Sequence, residues 1–121
     1  MEKLFRPEAL DLYAKMLDFA ALRHKTIANN IANINTPGFR RSDVAFADEL
    51  ARVLERKGLN GVKEVGLRRT QPETTAVRAD GNNVNIDTEM AALAENTLLY
   101  QVYSQLLARR FRRLQQILRE A

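Results

Sequence analysis

The sequence predicts a mainly α protein in which long N- and C-terminal helices pack as a coiled-coil-like bundle, with a short helix and an irregular or small β middle segment between them. Three observations carry this. Apolar residues near the start recur at alternating three- and four-residue steps, the spacing that keeps one helix face against a partner. The same spacing returns near the end. Between the two the periodicity lapses, and Gly61, Gly66, Pro72 and Gly81 punctuate a polar stretch. The expectation is one domain over residues 1–121, with a helix at 8–35, a short helix, loop and possible hairpin at 36–86, and a helix at 87–119.

In the first helix, Pro7 suits an opening turn, where its missing N–H is not needed. The seam runs through Leu10, Tyr13, Leu17, Ala20, His24, Ile27, Ile31 and Ile34, and a second row, Leu12, Met16 and Phe19, widens the apolar face. The helix is expected to stop at about Asn35. Pro37 cannot continue it and biases Thr36 towards an extended backbone, while Gly38 supplies the positive φ of a sharp exit. On a helical wheel Thr26, Asn29, Asn30 and Asn33 cluster away from Ile27, Ile31 and Ile34. This is either a neutral solvated face or an interface between identical subunits, since asparagine donates and accepts hydrogen bonds without charge. Asparagine is also a mediocre helix former, so partner contacts are expected to complete this end.

The short helix is expected to begin at an N-cap, Ser42 or Asp43, and to end at Gly58. Phe46, Leu50, Val53 and Leu54 share one face and pack back on the long helix, leaving Asp48, Glu49, Arg52, Glu55 and Arg56 solvated. Residues 59–85 are either mobile or a small β element. Residues 65–70 and 75–78 are strand candidates, and Asp80-Gly81 is a turn dipeptide suited to a hairpin onto residues 84–86.

For the last helix Asp87 is the expected N-cap, with Glu89 near the positive end of the dipole. Its seam reads Leu93, Thr97, Tyr100, Ser104, Leu107, Phe111, Leu114 and Leu118. Leu17, Ile27 and Ile31 are expected to meet Leu107, Phe111 and Leu114 as the intramolecular seam. Residues 98–107 are apolar almost all round, which asks for more neighbours than one helix supplies, most simply other subunits. A lone two-helix hairpin is marginal, so folding is expected to be coupled to polymerisation.

Composition narrows the function classes. Cysteine is absent, which excludes disulfides and thiol chemistry, and no apolar run approaches the roughly 20 residues of a membrane span. Residues 1–8 have no apolar core of a secretory signal peptide. His24 is the only histidine, no further ligands accompany it, and a packed or partner-facing role is the better reading. Asp80-Gly81-Asn82-Asn83 lacks the spaced ligands of a calcium loop, and no nucleophile elbow or phosphate loop is present. Neither an enzyme nor a cofactor-binding protein is expected. The net charge is +4, concentrated in Arg109, Arg110, Arg112 and Arg113. That collar leaves a soluble helical adaptor or nucleic-acid-binding module as the alternative. No DNA- or RNA-binding signature accompanies it, so pairing between subunits, or solvation, is preferred.

Residues 28–41, ANNIANINTPGFRR, resemble the N-terminal motif of the bacterial flagellar rod and hook proteins, SNNIANxNTPGYKR. Ala28 replaces a common serine and Phe39 a common tyrosine, and both keep the size class. Residues 81–87, GNNVNID, followed by Glu89-Met90, residues 93–96 and Tyr100, are similar to the C-terminal segment of the short proximal rod type. The longer members carry large inserts between the helices that this chain lacks, and FlgC, the other short type, usually has a QAYQAN-like run where residues 99–104 read LYQVYS. The resemblance implies a structural subunit of the periplasmic basal-body rod, self-assembling through its terminal helices into the axial shaft that transmits torque. It implies export by the flagellar type III apparatus without a cleaved signal peptide. The implied partners are other rod proteins, the adaptor FliE and the MS ring. Asn29, Asn30, Asn33, Asn35, Thr36, Pro37, Gly38 and Phe39 become the expected assembly motif.

Overall fold

A computed structural model describes residues 7–120. Helix α1 spans Pro7–Ala32, strand β1 Asp43–Ala45, helix α2 Ala47–Lys57 and strand β2 Arg68–Thr70. A 3-10 helix, Gly58–Glu64, follows α2 directly, and helix α3 spans Ile86–Glu120. At ~1.5 Å per residue, α1 is roughly 39 Å long and α3 roughly 52 Å. The architecture is the expected one, with two long helices packed on each other and a small β element in the middle.

The long helices run antiparallel, and polar side chains mark their register. Near the termini, the Arg110 guanidinium lies 5.4 Å from the centroid of the Tyr13 ring. Midway, Asn96 Nδ2 donates to the Ala20 carbonyl at 2.8 Å. At the far end Asn30 Nδ2 donates to Glu89 Oε2 at 3.2 Å. Ala20 is fully buried, and its small side chain lets Asn96 reach the α1 backbone.

The densest apolar packing lies beside this pair rather than within it. Phe46, Leu50, Val53 and Val65 form a buried cluster, against which Leu12, Met16 and Phe19 of α1 pack together with Leu54 and Leu67. The Phe19 and Phe46 rings stack at 4.7 Å. The second apolar row of α1 therefore serves α2, and the charged residues of α2, chiefly Asp48, Arg52, Glu55 and Arg56, stay exposed.

Several local expectations are corrected. Helix α1 ends at Ala32, three residues early, because the chain tightens before the proline. The Ile34 N–H donates to the Ile31 carbonyl and the Thr36 N–H to the Asn33 carbonyl, three-residue turns replacing α-helical ones. Gly38 has φ +74°, as the exit requires. Ser42 and Asp43 do not cap α2. Asn30 engages both backbone groups of Ser42, accepting its N–H at Oδ1 (3.0 Å) and donating to its carbonyl (2.8 Å), which holds this stretch extended. It continues as β1, and α2 starts after Phe46 without a side-chain cap, with Asp48 and Glu49 in its first turn. Its stop, Gly58, has φ +62°.

Strand β2 lies within the expected 65–70, but it pairs antiparallel with β1 (Asp43 with Thr70, Ala45 with Arg68) instead of joining a hairpin with 84–86. Residues 75–78 are not a strand. The Asp80-Gly81 turn does form, with the Arg78 N–H donating to the Asn82 carbonyl at 2.8 Å. Helix α3 is capped by Asn85, not Asp87, since the Thr88 N–H donates to Asn85 Oδ1 at 3.2 Å. Phe111 is 51% exposed and outside the seam, and Thr97, Tyr100 and Leu118 are exposed with it. The α1-facing stripe is rotated to Glu89, Asn96, Tyr103 and Arg110, seven residues apart. Its two polar members hid it from a search for apolar periodicity.

The turn after α2 is steric. A Cβ on Gly61 would stand 2.6 Å from Val53 Cγ1 and 2.9 Å from Lys57 Cβ, whereas one on Gly66 would meet nothing within 4 Å. Gly61→Ala is expected to lower stability by about 1–3 kcal/mol in urea titration, while Gly66→Ala changes it by less than about 0.5 kcal/mol.

Candidate functional site

The chain leaving α1 and the chain approaching α3 meet in a polar knot at the closed end of the helix pair. Its centre is Glu89, fully buried on the first turns of α3. Its Oε1 accepts from Arg41 Nε at 2.6 Å and its Oε2 from Asn30 Nδ2 at 3.2 Å, so both oxygens are used. The Arg41 side chain is 8% exposed and also approaches Asp43 Oδ2 at 3.8 Å. The Arg41 backbone N–H donates to Asn83 Oδ1 at 2.6 Å. A buried charge pair is tolerable only when its remaining hydrogen-bonding groups are satisfied, and these neighbours supply that.

Beside it, Asn82 closes the frayed end of α1. Fully buried, it shares its two Nδ2 protons among the carbonyls of Asn33 (2.9 Å), Ile34 (3.1 Å) and Thr36 (2.9 Å). Those are the carbonyls an α-helix leaves without partners at its C-terminus. The Asn82 Oδ1 accepts the Val84 N–H at 2.7 Å, and Asp80 Oδ1 accepts the Asn82 N–H at 3.0 Å. Arg78 adds donations to the carbonyls of Val84 and Ile34. The Gly38 N–H donates to the Asp80 carbonyl at 2.8 Å, and a Cβ on Gly81 would come within 3.3 Å of Gly38 Cα. Two turns with positive φ thus lie backbone to backbone, a closeness that side chains would prevent.

The expected motif residues divide between this knot and the surface. Asn30 and Thr26 are buried within the chain, so neither belongs to an exposed polar face. Asn29, Asn35, Thr36, Pro37 and Gly38 are exposed, and Asn33 and Phe39 are half-buried. Asn33 Nδ2 donates to the Asn29 carbonyl at 2.9 Å, and the Thr36 hydroxyl donates to Asn33 Oδ1 at 3.1 Å. Of the expected seam residues, Ile27 is buried, while Leu17, Ile31, Leu107 and Leu114 are half-buried. His24 is exposed on α1. Sequence reasoning missed the roles of Arg41, Arg78, Asn82, Asn83, Glu89 and Asn96. A signal existed for two of them. Glu89 and Asn96 continue, at seven-residue steps, the line of Tyr103 and Arg110, and polar residues at inward positions announce buried partners.

Chemically, this site holds geometry. Among the described residues no group of His, Asp or Glu is placed to hold a metal ion, and no helix is long and apolar enough to cross a membrane. What the knot does is lock two distant chain segments so that α1 and α3 keep one register.

Known proteins share this sequence. Residues 20–40, which hold the end of α1 and the Pro37-Gly38 exit, match the family described as flagella basal body rod protein, so the class is that of flagellar rod subunits. The flagellar basal body rod protein FlgB of Borrelia hermsii is 38% identical over 86% of this chain and 90% of its own length. FlgB of Aquifex aeolicus is 33% identical over 83% of this chain and 82% of its own, and FlgB of Escherichia coli K12 is 32% identical over 78% and 80%. The chain belongs to the FlgB family of flagellar basal body rod proteins, and is a structural subunit of that rod.

Glu89→Ala is expected to strand the buried Arg41 charge and lower stability by about 3–5 kcal/mol, read from the urea midpoint. Asn82→Ala is expected to cost about 1–3 kcal/mol and to speed hydrogen exchange at the Thr36 and Phe39 amides while sparing α2.

Proposed function

We propose that this rod subunit works mechanically, assembling with other rod subunits through the exposed flanks of α1 and α3, while the polar knot holds the register of the two helices under load. The observation that carries this reading is the apolar surface α3 leaves uncovered. Leu98 is 61% exposed, and Tyr100, Val102, Phe111 and Leu118 are exposed with it. Helix α1 covers one side of α3 only. An exposed apolar surface of this kind marks a protein contact.

In this proposal Asn29, Asn33 and Asn35, with Pro37 and Gly38, form a neutral contact surface at the end of α1. Neutral groups suit repeated contacts between identical copies, which would otherwise bring like charges together. The half-buried Leu17, Ile31, Leu107 and Leu114 hold the two helices of one copy together. Torque then passes through many parallel contacts between subunits, without catalysis or a cofactor. Membership of the rod family supports other rod and basal-body proteins as partners. We extend that to the adaptor FliE and the MS ring, to a periplasmic position in the rod, and to delivery by the flagellar type III apparatus without a cleaved signal peptide. The relatives do not favour a nucleic-acid-binding role for the arginine collar.

Pro37→Ala tests the proposal in cells lacking their own rod subunit. The variant is expected to accumulate and keep its helical circular dichroism, because Pro37 is exposed, yet to support few assembled rods and little swimming. Wild-type swimming with this variant would remove the role given to the motif.

A further inference from the structure

The side of α3 turned away from α1 carries a charge pattern that the helix pair does not use. At ~100° per residue, Asp87, Glu95, Leu98, Val102, Arg109, Arg112 and Arg113 fall within an arc about 100° wide. All seven are exposed. The arc is acidic at its start (Asp87 and Glu95), apolar in the middle (Leu98 and Val102) and basic at its end (Arg109, Arg112 and Arg113). None of these five charged side chains has an ion pair among the described residues. A face that is acidic at one end and basic at the other is complementary to a second copy of itself.

We infer that this face is a directional contact between copies of the chain. The acidic end of one α3 lies against the basic end of the next in parallel orientation, offset by about 20 residues, or roughly 30 Å at ~1.5 Å per residue. The inference rests on the assembly reading above and adds its register. Charge alone also allows an antiparallel pair about a two-fold axis, with Asp87 opposite Arg113 and Leu98 opposite Val102. That arrangement consumes both ends and closes as a dimer, whereas the offset arrangement leaves one complementary end free at each step and can propagate. A rod requires propagation. The apolar middle adds area to the contact, and the charged ends fix direction and offset, the division of labour expected when electrostatics supply specificity rather than affinity.

The test is sedimentation of the purified chain at about 0.01 M and about 1 M salt, where exposed charges act over roughly 30 Å and 3 Å respectively. The wild type is expected to form an open series of oligomers at low salt, with association weakened roughly tenfold or more at high salt. Two neutralised variants are compared with it: Asp87→Asn with Glu95→Gln, and Arg109→Gln with Arg112→Gln and Arg113→Gln. Every position is exposed, so both are expected to keep the wild-type melting temperature. Each alone is expected to remain monomeric, while a 1:1 mixture joins the intact basic end of one to the intact acidic end of the other and stops at a heterodimer. A wild type that closes as a dimer would overturn the parallel offset. Variants that oligomerise like the wild type would remove this face as the contact and leave assembly by another surface standing. A wild type that stays monomeric at low salt overturns the contact too. The rod role is judged separately, by the swimming of Pro37→Ala cells.

Discussion

The salt bridge between Arg41 and Glu89 is the constraint on which the rest of this structure depends. A carboxylate with no exposure cannot be left ionised without partners, so Glu89 dictates what surrounds it: Arg41 on one oxygen, Asn30 on the other. Arg41 in turn is held by Asn83, and Asn30 by the backbone of Ser42. Four segments far apart in sequence are thereby fixed by one buried charge. Such pairs contribute little net stability compared with apolar packing, but they discriminate sharply between one register and its neighbours. A slip of one helical turn between α1 and α3 would leave a charge buried and unpaired.

Packing strength and register are therefore held in different places. The apolar cluster of Phe46, Leu50, Val53 and Val65 ties α2 to the first half of α1. The α1–α3 contact relies on small and polar groups, the Ala20 carbonyl with Asn96, Tyr13 with Arg110, and the knot. A subunit of a shaft has reason for this arrangement. Its long helices keep much of their apolar surface for neighbours, while α2 and the knot hold the monomer's shape. The expectation that folding waits on polymerisation is softened accordingly, since the chain has a core of its own beside the helix pair.

Much of the architecture was legible because it rests on strong local signals. The Pro37-Gly38 exit, the Gly58 stop, the Asp80-Gly81 turn and the apolar face of α2 each follow from backbone restriction or 3.6-residue periodicity. What was not legible rests on contacts between distant segments. Ser42 and Asp43 have the chemistry of helix caps, and only the reach of Asn30 from the preceding helix makes them extended. Asp87 looked a better cap than Asn85 because both side chains are suitable and one residue separates the outcomes. The seam of α3 was drawn through Phe111 because apolar spacing was followed, while the helix turns Glu89 and Asn96 inward. The site was half legible: the resemblance drew attention to residues 28–41, but their partners at 78–89 are chosen by tertiary geometry.

The knot also settles where this chain can change length. It pins residues 30–42 to residues 78–89, so everything between is a loop whose two ends are fixed regardless of what the loop contains. Residues 71–77, largely exposed and without regular structure, lie inside that bracket. Enlarging a loop with fixed ends costs only about 0.6 kcal/mol for each doubling of its length. New sequence, even a whole folded module, can be grafted there without disturbing the long helices. The architecture therefore provides a standing site for domain insertion, at which evolution can thicken the subunit while its axial contacts stay unchanged.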